Sequence, residues 1–315
     1  MAPVAPKATL ATDAVTDAST TAGRSGDTVS VVIPCRNAEG TIALQLEALA
    51  GQSYDGRWEV VVADNGSTDR SREIVEEWVG RVPGLRVVDA SDRVGVSHAR
   101  NVGIRAAVGN LILLCDADDV AEPQWLQEMA GFLADGHGDL VGGLLRRGVL
   151  QQDGSMSPAA DTVDDGLADH FGFLQYATGA NCGFRFEVFD QLGGFEDTYR
   201  AGGDEVEFCW RAQLAGFRLV FAPDAVIHYR ARQGAWAQAR QSYGYGKAYP
   251  RLYRDFRGHG MPRGSAMRGI KAWWWIVSHV SWVARRGTER NAWFRGVGIH
   301  IGRLVGSLRW RVLYL

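Results

Sequence analysis

The sequence predicts an α/β protein in which a mostly parallel sheet is flanked by helices. Short apolar runs typical of buried strands alternate with amphipathic segments typical of helices through the first half of the chain. Polar clusters directly follow three of the apolar runs. Because alternating strands and helices form parallel sheets with right-handed crossovers, these clusters meet at the carboxyl edge of the sheet, where ligands bind.

The first half of the chain supplies strands and helices in turn. The predicted strands are short apolar runs at 29–33, 59–63, 85–88 and 111–115. The predicted helices begin after Thr41, run from Ser67 or Thr68 to Trp78, and cover 96–107. Proline has no backbone N–H, so Pro34 is expected to end the first strand.

The second half is less regular. Its expected elements are a strand at 141–149, an extended segment at 179–184, a short helix ending at Gly193 and Gly194, a helix from 202–205 to about Ala215, and extended segments at 218–221 and 226–229. The helix that begins near Asp204 carries acidic residues in its first turn, where the positive end of the helix dipole favours them.

The acidic turn after the strand at 111–115 is the main chemical feature of the sequence. Asp116, Asp118 and Asp119 follow five apolar residues, and a small turn at Ala117 brings the first two carboxylates to one side. Carboxylates gathered at a strand end repel one another and lose hydration, a cost that a cation offsets. Their oxygens suit Mg²⁺ or Mn²⁺, together with substrate phosphates. The alternative for these residues alone is a solvated acidic turn.

Polar side chains also follow the first two strands. Arg36 and Asn37 come after the strand at 29–33, and Asp64 and Asn65 come after the next strand. With the acidic turn they make three polar clusters at one sheet edge. A single polar loop would carry no meaning, but three of them predict a cleft of nucleotide size.

The C-terminal part of the chain is basic and rich in tryptophan. Residues 230–315 contain 17 Lys and Arg, two acidic residues and seven of the eleven tryptophans. The apolar stretch at 272–284 is too short to cross a bilayer as a helix, but it can lie on a membrane surface with its arginines on anionic lipid. The charge also suits nucleic acid, but no motif for nucleic-acid binding accompanies it. We therefore expect a helical extension on a membrane surface; the alternative is that its helices pack on the rest of the protein.

Cysteine usage and the N-terminus bear on location. The cysteines lie far apart beside apolar residues, which is typical of reduced, buried thiols and favours the cytoplasm. Residues 1–27 are mostly small and polar and cannot bury enough surface to offset chain entropy, so a disordered leader is expected there. With the basic extension, this predicts a cytoplasmic protein peripheral to the inner face of the cell membrane.

Seven short motifs resemble those of the inverting glycosyltransferases of family 2, which bind nucleotide sugars on a GT-A fold. The motifs lie at 31–37, 62–69, 99–103, 116–118, 179–181, 203–205 and 227–228. Each is weak alone, but seven in the family's order and spacing are specific. The resemblance implies a Rossmann-like GT-A catalytic domain at 28–230, with a nucleotide-binding half at 28–120 and an acceptor-binding half at 121–230, followed by the extension at 231–315.

The resemblance also implies roles in donor binding. Pro34, Arg36 and Asp64 are expected to hold the base of the nucleotide, and Arg100 is expected to position it. The other donor-binding positions that it implies are Asn37, Asn65, Asp116, Ala117 and Asn181. A pyrimidine donor, UDP-sugar or dTDP-sugar, is favoured by the resemblance, and GDP-sugar is kept as an alternative.

The metal site follows from the same resemblance. Asp116 is expected near the ribose and the metal, and Asp118 is expected to bind the Mn²⁺ or Mg²⁺ ion that bridges the diphosphate. His228 corresponds to the family's C-terminal histidine, which completes the metal shell or contacts the diphosphate. The alternative for His228 is a structural histidine on a strand.

The catalytic base is assigned with one departure from the family pattern. In the family, the acceptor hydroxyl gives its proton to the Asp of a Glu-Asp pair. Here the order is reversed, as Asp204-Glu205. Alignment by position favours Glu205, whereas residue type favours Asp204; we prefer Glu205 because Glu207 and Arg211 then fall where the family has its later helix residues. Asp204 can also be the N-cap of its helix.

Together these inferences predict metal-dependent, inverting transfer of one sugar from a nucleoside-diphosphate sugar to an acceptor hydroxyl. The expected acceptor is lipid-linked or otherwise close to a membrane, and it can be a glycan, a lipid or a small molecule. Three alternatives stay open: the same reaction on a soluble small molecule such as a natural product, a non-catalytic scaffold that binds nucleotide sugars, and a retaining mechanism. No nucleic-acid partner is expected.

Overall fold

Strands and helices alternate from the first to the fourth strand, as the apolar pattern predicts for the first half of the chain. The computed structural model describes residues 27–147, 150, 162–163, 166–200, 202–232 and 234–314, so the predicted leader lies outside the described residues apart from Asp27. The strands are β1 (Thr28–Cys35), β2 (Arg57–Asp64), β3 (Arg86–Asp89), β4 (Leu111–Cys115), β5 (Val120–Ala121), β6 (Leu140–Arg147), β7 (Thr162–Val163), β8 (Asn181–Arg185) and β9 (Leu219–Tyr229). The α-helices are α1 (Ile42–Ala50), α2 (Ser71–Glu77), α3 (Val96–Ala106), α4 (Trp125–Ala134), α5 (Phe186–Leu192), α6 (Asp204–Leu214), α7 (Ala235–Phe256), α8 (Ala266–Ser278) and α9 (Thr288–Trp310). Short 3₁₀ helices lie at Arg257–His259 and Val280–Ala284.

The described strands form one sheet in the order β3-β2-β1-β4-β8-β6-β9-β5, with β7 paired to β6. The first four strands of this order are parallel, as expected from their helical crossovers. The second half is mixed: β8 is antiparallel to both β4 and β6, and β5 is antiparallel to β9, whereas β6 and β9 are parallel. The carboxyl ends of β1, β2 and β4 therefore lie at the same edge.

Pro34 and Pro223 both lie inside strands, so Pro34 does not end the first strand as predicted. β1 continues through Pro34, which pairs in register with Ala63 of β2, whereas pairing with β4 ends at Val32. Pro34 therefore has a neighbouring strand on one side only, where a missing N–H is tolerated. The two segments around Pro223 form the single strand β9, because residues 223–225 bulge out between its pairs with Gly143 and Leu144 of β6.

The sheet separates two apolar cores. Alternate residues of β1 point to opposite faces: Val31 lies in one core and Val32 in the other. Helices α1, α2 and α4 cover the first face, and α3, α5 and α6 cover the second. Leu252 and Phe256 of α7 also belong to the second core, so α7 packs directly on the part of the chain that forms the sheet. All four cysteines are buried free thiols, as expected.

Helices α7 and α9 pack closely along a row of glycines. Gly298, Gly302 and Gly306 repeat at every fourth residue on α9, and they face backbone atoms of α7. Gly246 of α7 faces the backbone of α9 in the same way. Without side chains at these positions the two backbones can approach closely, as in helix pairs built on small residues.

Two matched substitutions test this packing. Alanine at Gly302 would place its Cβ inside van der Waals distance of the Tyr243 carbonyl oxygen, so we expect the free energy of unfolding to fall by about 1–3 kcal/mol. Alanine at Gly131, in α4, meets no atom within 4 Å, so the gain in helix propensity should raise stability by roughly 0.5–1 kcal/mol. Urea denaturation measures both, and equal effects of the two substitutions would contradict close packing at Gly302.

Candidate active site

The carboxyl ends of β1, β2 and β4 open into a cleft of about 580 Å³, which we call the edge cleft. Six of the nine predicted donor-binding residues line it, namely Pro34, Arg36, Asn37, Asn65, Asp116 and Ala117, and so does the predicted metal ligand Asp118. Two arginines that the motifs did not include, Arg230 and Arg232, complete its wall. The topology therefore brings the three predicted polar clusters together.

The loops after β1 and β2 are hydrogen-bonded to each other. Asn37 has a left-handed backbone, with φ of 52°, and its side-chain oxygen accepts a hydrogen bond from the N–H of Thr68 at 2.8 Å. The carboxylate of Asp64 is nearly buried and accepts the N–H of Ser67 at 3.0 Å. Because Ser67 and Thr68 are used in this way, α2 begins only at Ser71 rather than at the predicted position.

Asn65 holds the loop that precedes α3. Its side-chain nitrogen donates to the carbonyl oxygens of Ala90 and Arg93, and its oxygen accepts the N–H of Gly95 at 2.8 Å. The side chain is buried, although the residue still borders the edge cleft. Asn65 thus shapes one wall of the cleft by fixing this loop.

The acidic turn after β4 gathers three carboxylates. One oxygen each from Asp116, Asp118 and Asp119 lies within 4.8 Å of the others. Asp119 is fully buried; its Oδ1 accepts the N–H of Arg230 at 2.8 Å, and its Oδ2 has no hydrogen-bond partner among the described residues. Burial raises the pKa of Asp119 well above its usual value, and the charges of Asp116 and Asp118 raise it further. Clustered hard oxygens with an unpartnered atom fit a divalent cation such as Mg²⁺ or Mn²⁺.

Arg100 connects this turn to the start of α6. Its guanidinium is buried and donates to Asp204 at 2.8 Å and to Asp116 at 3.5 Å. Burial lowers the pKa of Arg100, but the negative charges of Asp204 and Asp116 raise it overall, so the side chain is charged. Gly179 lies so close to the guanidinium that any side chain there would collide with it.

The two acids at the start of α6 have different surroundings. Gly203 is the N-cap, with φ of 87°, and Asp204 is the first helical residue, so the alternative in which Asp204 caps the helix does not hold. Asp204 is 1% exposed and paired with Arg100, whereas Glu205 is half-buried and borders open space. Burial raises the pKa of Glu205 well above its usual value, and the neighbouring Asp204 raises it further.

Glu205 borders a large cavity of about 810 Å³ between the sheet and α7. The cavity has an aromatic and basic lining that includes Tyr176, Tyr229, Tyr245, Tyr249, Arg147 and Arg295. A third space of about 590 Å³, which we call the connecting space, is lined by both Asp118 and Glu205. It shares residues with the edge cleft and with the large cavity. A ligand in the edge cleft can therefore meet a ligand in the large cavity beside Glu205.

His228 is predicted to join the metal site, and its described ion pair is with a different carboxylate. His228 lies on β9 in register with Val120 of β5, and its Nε2 is 3.0 Å from a carboxylate oxygen of Glu122. It is not part of the group of three carboxylates within the described chain. The carboxylate of Glu122, outside the turn after β4, is therefore one partner of His228.

The predicted donor-binding residue Asn181 has its side chain inside the fold rather than among the lining residues of the edge cleft. Its side chain is fully buried, and its amide oxygen accepts the indole N–H of Trp125 at 2.8 Å. Its amide nitrogen donates to the carbonyl oxygens of Leu144 and Ala225. With these groups engaged, Asn181 joins β8 to α4, β6 and β9 and does not reach the cleft.

Arg230 and Arg232 are site residues that the motifs missed. Arg230 donates from its Nε to the backbone oxygen of Asp118 at 2.8 Å, and Arg232 lies 3.4 Å from the carboxylate of Asp118. The side chain of Arg232 is more than half exposed and borders all three spaces. The signal available in the sequence was a pair of arginines directly after the strand that carries His228.

Comparison with known proteins identifies the family of this chain. Residues 30–193, just over half of the chain, match the family model described as Glycosyl transferase family 2. The chain belongs to this family. The family 2 chain is 30% identical over 206 residues to the glycosyltransferase AglE of Haloferax volcanii. The matched region covers 65% of this chain and 67% of AglE. Two further curated relatives are longer, and the chain covers 24% and 49% of their lengths.

Solved structures place this family 2 enzyme among GT-A proteins. The mannosyltransferase PcManGT from Pyrobaculum calidifontis, in complex with GDP-Man and Mn²⁺, superposes with a TM-score of 0.61 at 18% identity, over 89% of this chain and 86% of PcManGT. Staphylococcus aureus TarS 1–349, in complex with UDP-GlcNAc, gives a TM-score of 0.55 at 18% identity, over 91% and 93%. These likenesses show the fold. The predictions of a GT-A fold and of a family 2 glycosyltransferase are therefore confirmed.

Proposed function

We propose that this family 2 enzyme transfers one sugar from a nucleoside-diphosphate sugar to an acceptor hydroxyl, with inversion and with Mn²⁺ or Mg²⁺. One observation carries the proposal: Asp118 and Glu205 face the same connecting space, between a cleft of nucleotide size and a large cavity. Donor and acceptor would then approach each other from opposite sides. This arrangement suits direct displacement, in which the acceptor attacks the face away from the leaving group.

The residues divide the chemistry between the two ends of the connecting space. Asp118 and Asp116, with Asp119 behind them, would hold the metal ion. When bound, the ion supplies positive charge that neutralises the leaving nucleoside diphosphate. Arg232, extended beside Asp118, is placed to pair with a phosphate. Glu205 takes the proton of the acceptor hydroxyl as that oxygen attacks the anomeric carbon.

The proposed donor is inferred from the residues of the edge cleft and from the related proteins. Pro34, Arg36 and Asp64 stand at the carboxyl ends of β1 and β2, where the base of a nucleotide would lie. TarS is described with UDP-GlcNAc and PcManGT with GDP-Man and Mn²⁺, which supports a nucleotide sugar and a metal for this chain. We propose UDP-sugar or dTDP-sugar as the donor, with GDP-sugar as the alternative.

The acceptor is proposed from the large cavity and the basic extension. Aromatic rings such as Tyr176 and Tyr245 can stack on a sugar or cover an apolar chain, and Arg147 and Arg295 can pair with an anionic group. The extension carries 16 basic residues against two acidic ones. A lipid-linked or membrane-proximal acceptor at the inner face of the cell membrane fits this chemistry; a soluble small molecule is the alternative.

Donor and metal binding are tested by thermal shift with UDP-, dTDP- and GDP-sugars, each with Mn²⁺ and with EDTA. A ligand that binds only the native state raises its stability, so one donor should raise Tm when Mn²⁺ is present. Replacement of Asp118 by asparagine should remove the metal-dependent part of this rise and weaken Mn²⁺ binding by at least about 10- to 100-fold.

Glu47→Gln is the matched control, because this exposed carboxylate on α1 lies outside the acidic group. Its metal-dependent shift should equal that of the wild type. A donor shift that is the same with Mn²⁺ and EDTA would refute metal dependence. The absence of a shift with all three donors would refute the proposed donor class.

A further inference from the structure

Helix α8 exposes a row of large apolar side chains, which we call the α8 apolar face. Its members are Met267, Ile270, Trp274 and Val277, and their spacing of three, four and three residues places them on one face of the helix. Their exposed fractions are 60, 63, 71 and 69%. Val280, in the following 3₁₀ helix, continues the row at 59%. A contiguous apolar surface of this kind marks an interaction site.

The opposite side of α8 packs against the rest of the protein, so the exposed face is not the side that anchors the helix. Gly269 and Ile276 are buried. The indole N–H of Trp293, on α9, donates to the carbonyl oxygen of Ile276 at 2.9 Å, and Trp275 lies against Gly296 of α9. The helix is therefore anchored on α9 with its apolar face turned outward.

Basic side chains border the α8 apolar face. The exposed cations of this segment are Arg263, Arg268, Lys271, Arg285 and Arg286. Arg285 is paired with Glu289, but the sequence has no acidic residue between Asp255 and Glu289. An apolar row bordered by positive charge is complementary to a surface that offers hydrocarbon beneath negative headgroups.

We propose that the α8 apolar face docks the enzyme on an anionic lipid bilayer, with α8 lying in the plane of the membrane surface. None of the helices in the described ranges is long and apolar enough to cross a bilayer, and α8 has 13 residues. The inference rests on the proposed membrane-proximal acceptor and names the surface that brings the enzyme to it. Helix α9, which anchors α8, also contributes Arg295 to the large cavity, so the bound membrane adjoins the helices that enclose the acceptor.

The test is co-sedimentation of the full chain with vesicles of phosphatidylcholine alone or mixed with phosphatidylglycerol. Binding is expected with the anionic mixture and should weaken as salt is added. The double variant Ile270→Glu, Trp274→Glu should lower the partition coefficient by about tenfold or more. Arg268→Gln and Lys271→Gln should each lower it about fivefold. The control is Val79→Glu, which also replaces an apolar side chain by an acidic one, at a 55% exposed site far from α8 in sequence. This variant should bind like the wild type.

Several outcomes would overturn the proposal. One is equal binding by the double variant and the wild type, or equal binding to the two kinds of vesicle. Another is a wild-type dimer in solution that the double variant converts to a monomer, because the face would then be covered by a second copy of the chain. The donor thermal shift, measured without vesicles, separates the two proposals: an intact shift without vesicle binding rejects only the docking surface, and vesicle binding without a shift rejects only the proposed donor chemistry.

Discussion

Replacement of Glu205 by glutamine is expected to lower kcat by about 10²- to 10⁴-fold without lowering Tm. Glutamine keeps the size of the side chain but cannot accept the acceptor's proton. Burial and the nearby Asp204 raise the pKa of Glu205 in the folded protein. Its contribution to the free energy of unfolding is therefore fully present below the pKa of an unfolded glutamate and is lost as the pH rises through the folded-state pKa. Near neutral pH the uncharged variant should be at least as stable as the wild type.

The pH profile of the reaction gives a second measurement of the same role. Wild-type kcat should fall as the pH drops through the raised pKa of Glu205, because the base becomes protonated. The residual activity of Glu205→Gln should lack this acidic limb. Asp204→Asn is the comparison variant: it weakens the contact with Arg100, so it should lower Tm more than it lowers kcat. The reverse pattern, a fully active Glu205→Gln and an inactive but stable Asp204→Asn, would assign the base to Asp204.

Replacement of Arg100 by methionine should lower the free energy of unfolding by about 3–5 kcal/mol. The arginine is 4% exposed and its guanidinium bonds Asp204, which is 1% exposed, and Asp116. Removing it leaves a buried carboxylate at the start of α6 without its positive partner, and an uncompensated buried charge is costly. Donor binding should weaken too, because Asp116 loses the contact that positions it.

A double-mutant cycle separates the charge from the packing. The variant Arg100→Met, Asp204→Asn should recover about 0.5–3 kcal/mol relative to Arg100→Met, since it removes the unpaired carboxylate. Arg105→Met, at an exposed position on the same helix, should change stability by roughly 0.5 kcal/mol or less. If Arg100→Met were as mild as Arg105→Met, the buried ion pair would not stabilise the fold.

The set of polar residues at the carboxyl edge of the sheet was predictable because local sequence patterns determine which residues lie there. Apolar runs locate the buried strands, the helices between them require parallel pairing, and parallel pairing brings Asn37, Asp64 and Asp118 to one edge. The carboxylate cluster needed no further information, since its members are neighbours in the chain. Boundaries were less accurate where a side chain far away in sequence decides them: Asn37 takes the N–H of Thr68 and delays the start of α2.

The contacts that the sequence did not predict concern residues whose partners are distant in sequence. His228 meets Glu122 because the two-residue strand β5 pairs with β9, and two residues are too few to carry a pattern. Asn181 is satisfied by groups from three other elements, which no spacing rule reveals. The contact between Arg100 and Asp204 spans more than 100 residues, so the difference between the two acids of α6 became visible only in three dimensions.

The glycine row between α7 and α9 has a consequence for the range of acceptors. Gln238 of α7 and Arg295 of α9 are joined by a hydrogen bond of 2.8 Å, and both border the large cavity. The separation of the two helices, set by Gly246 and Gly302, therefore sets the width of the rim at this point. A single methyl group at either glycine would widen the entrance while every group around the reaction centre stayed the same. With the large cavity as the proposed acceptor site, substrate range can thus diverge through backbone spacing, by changes that a comparison of catalytic residues would never detect.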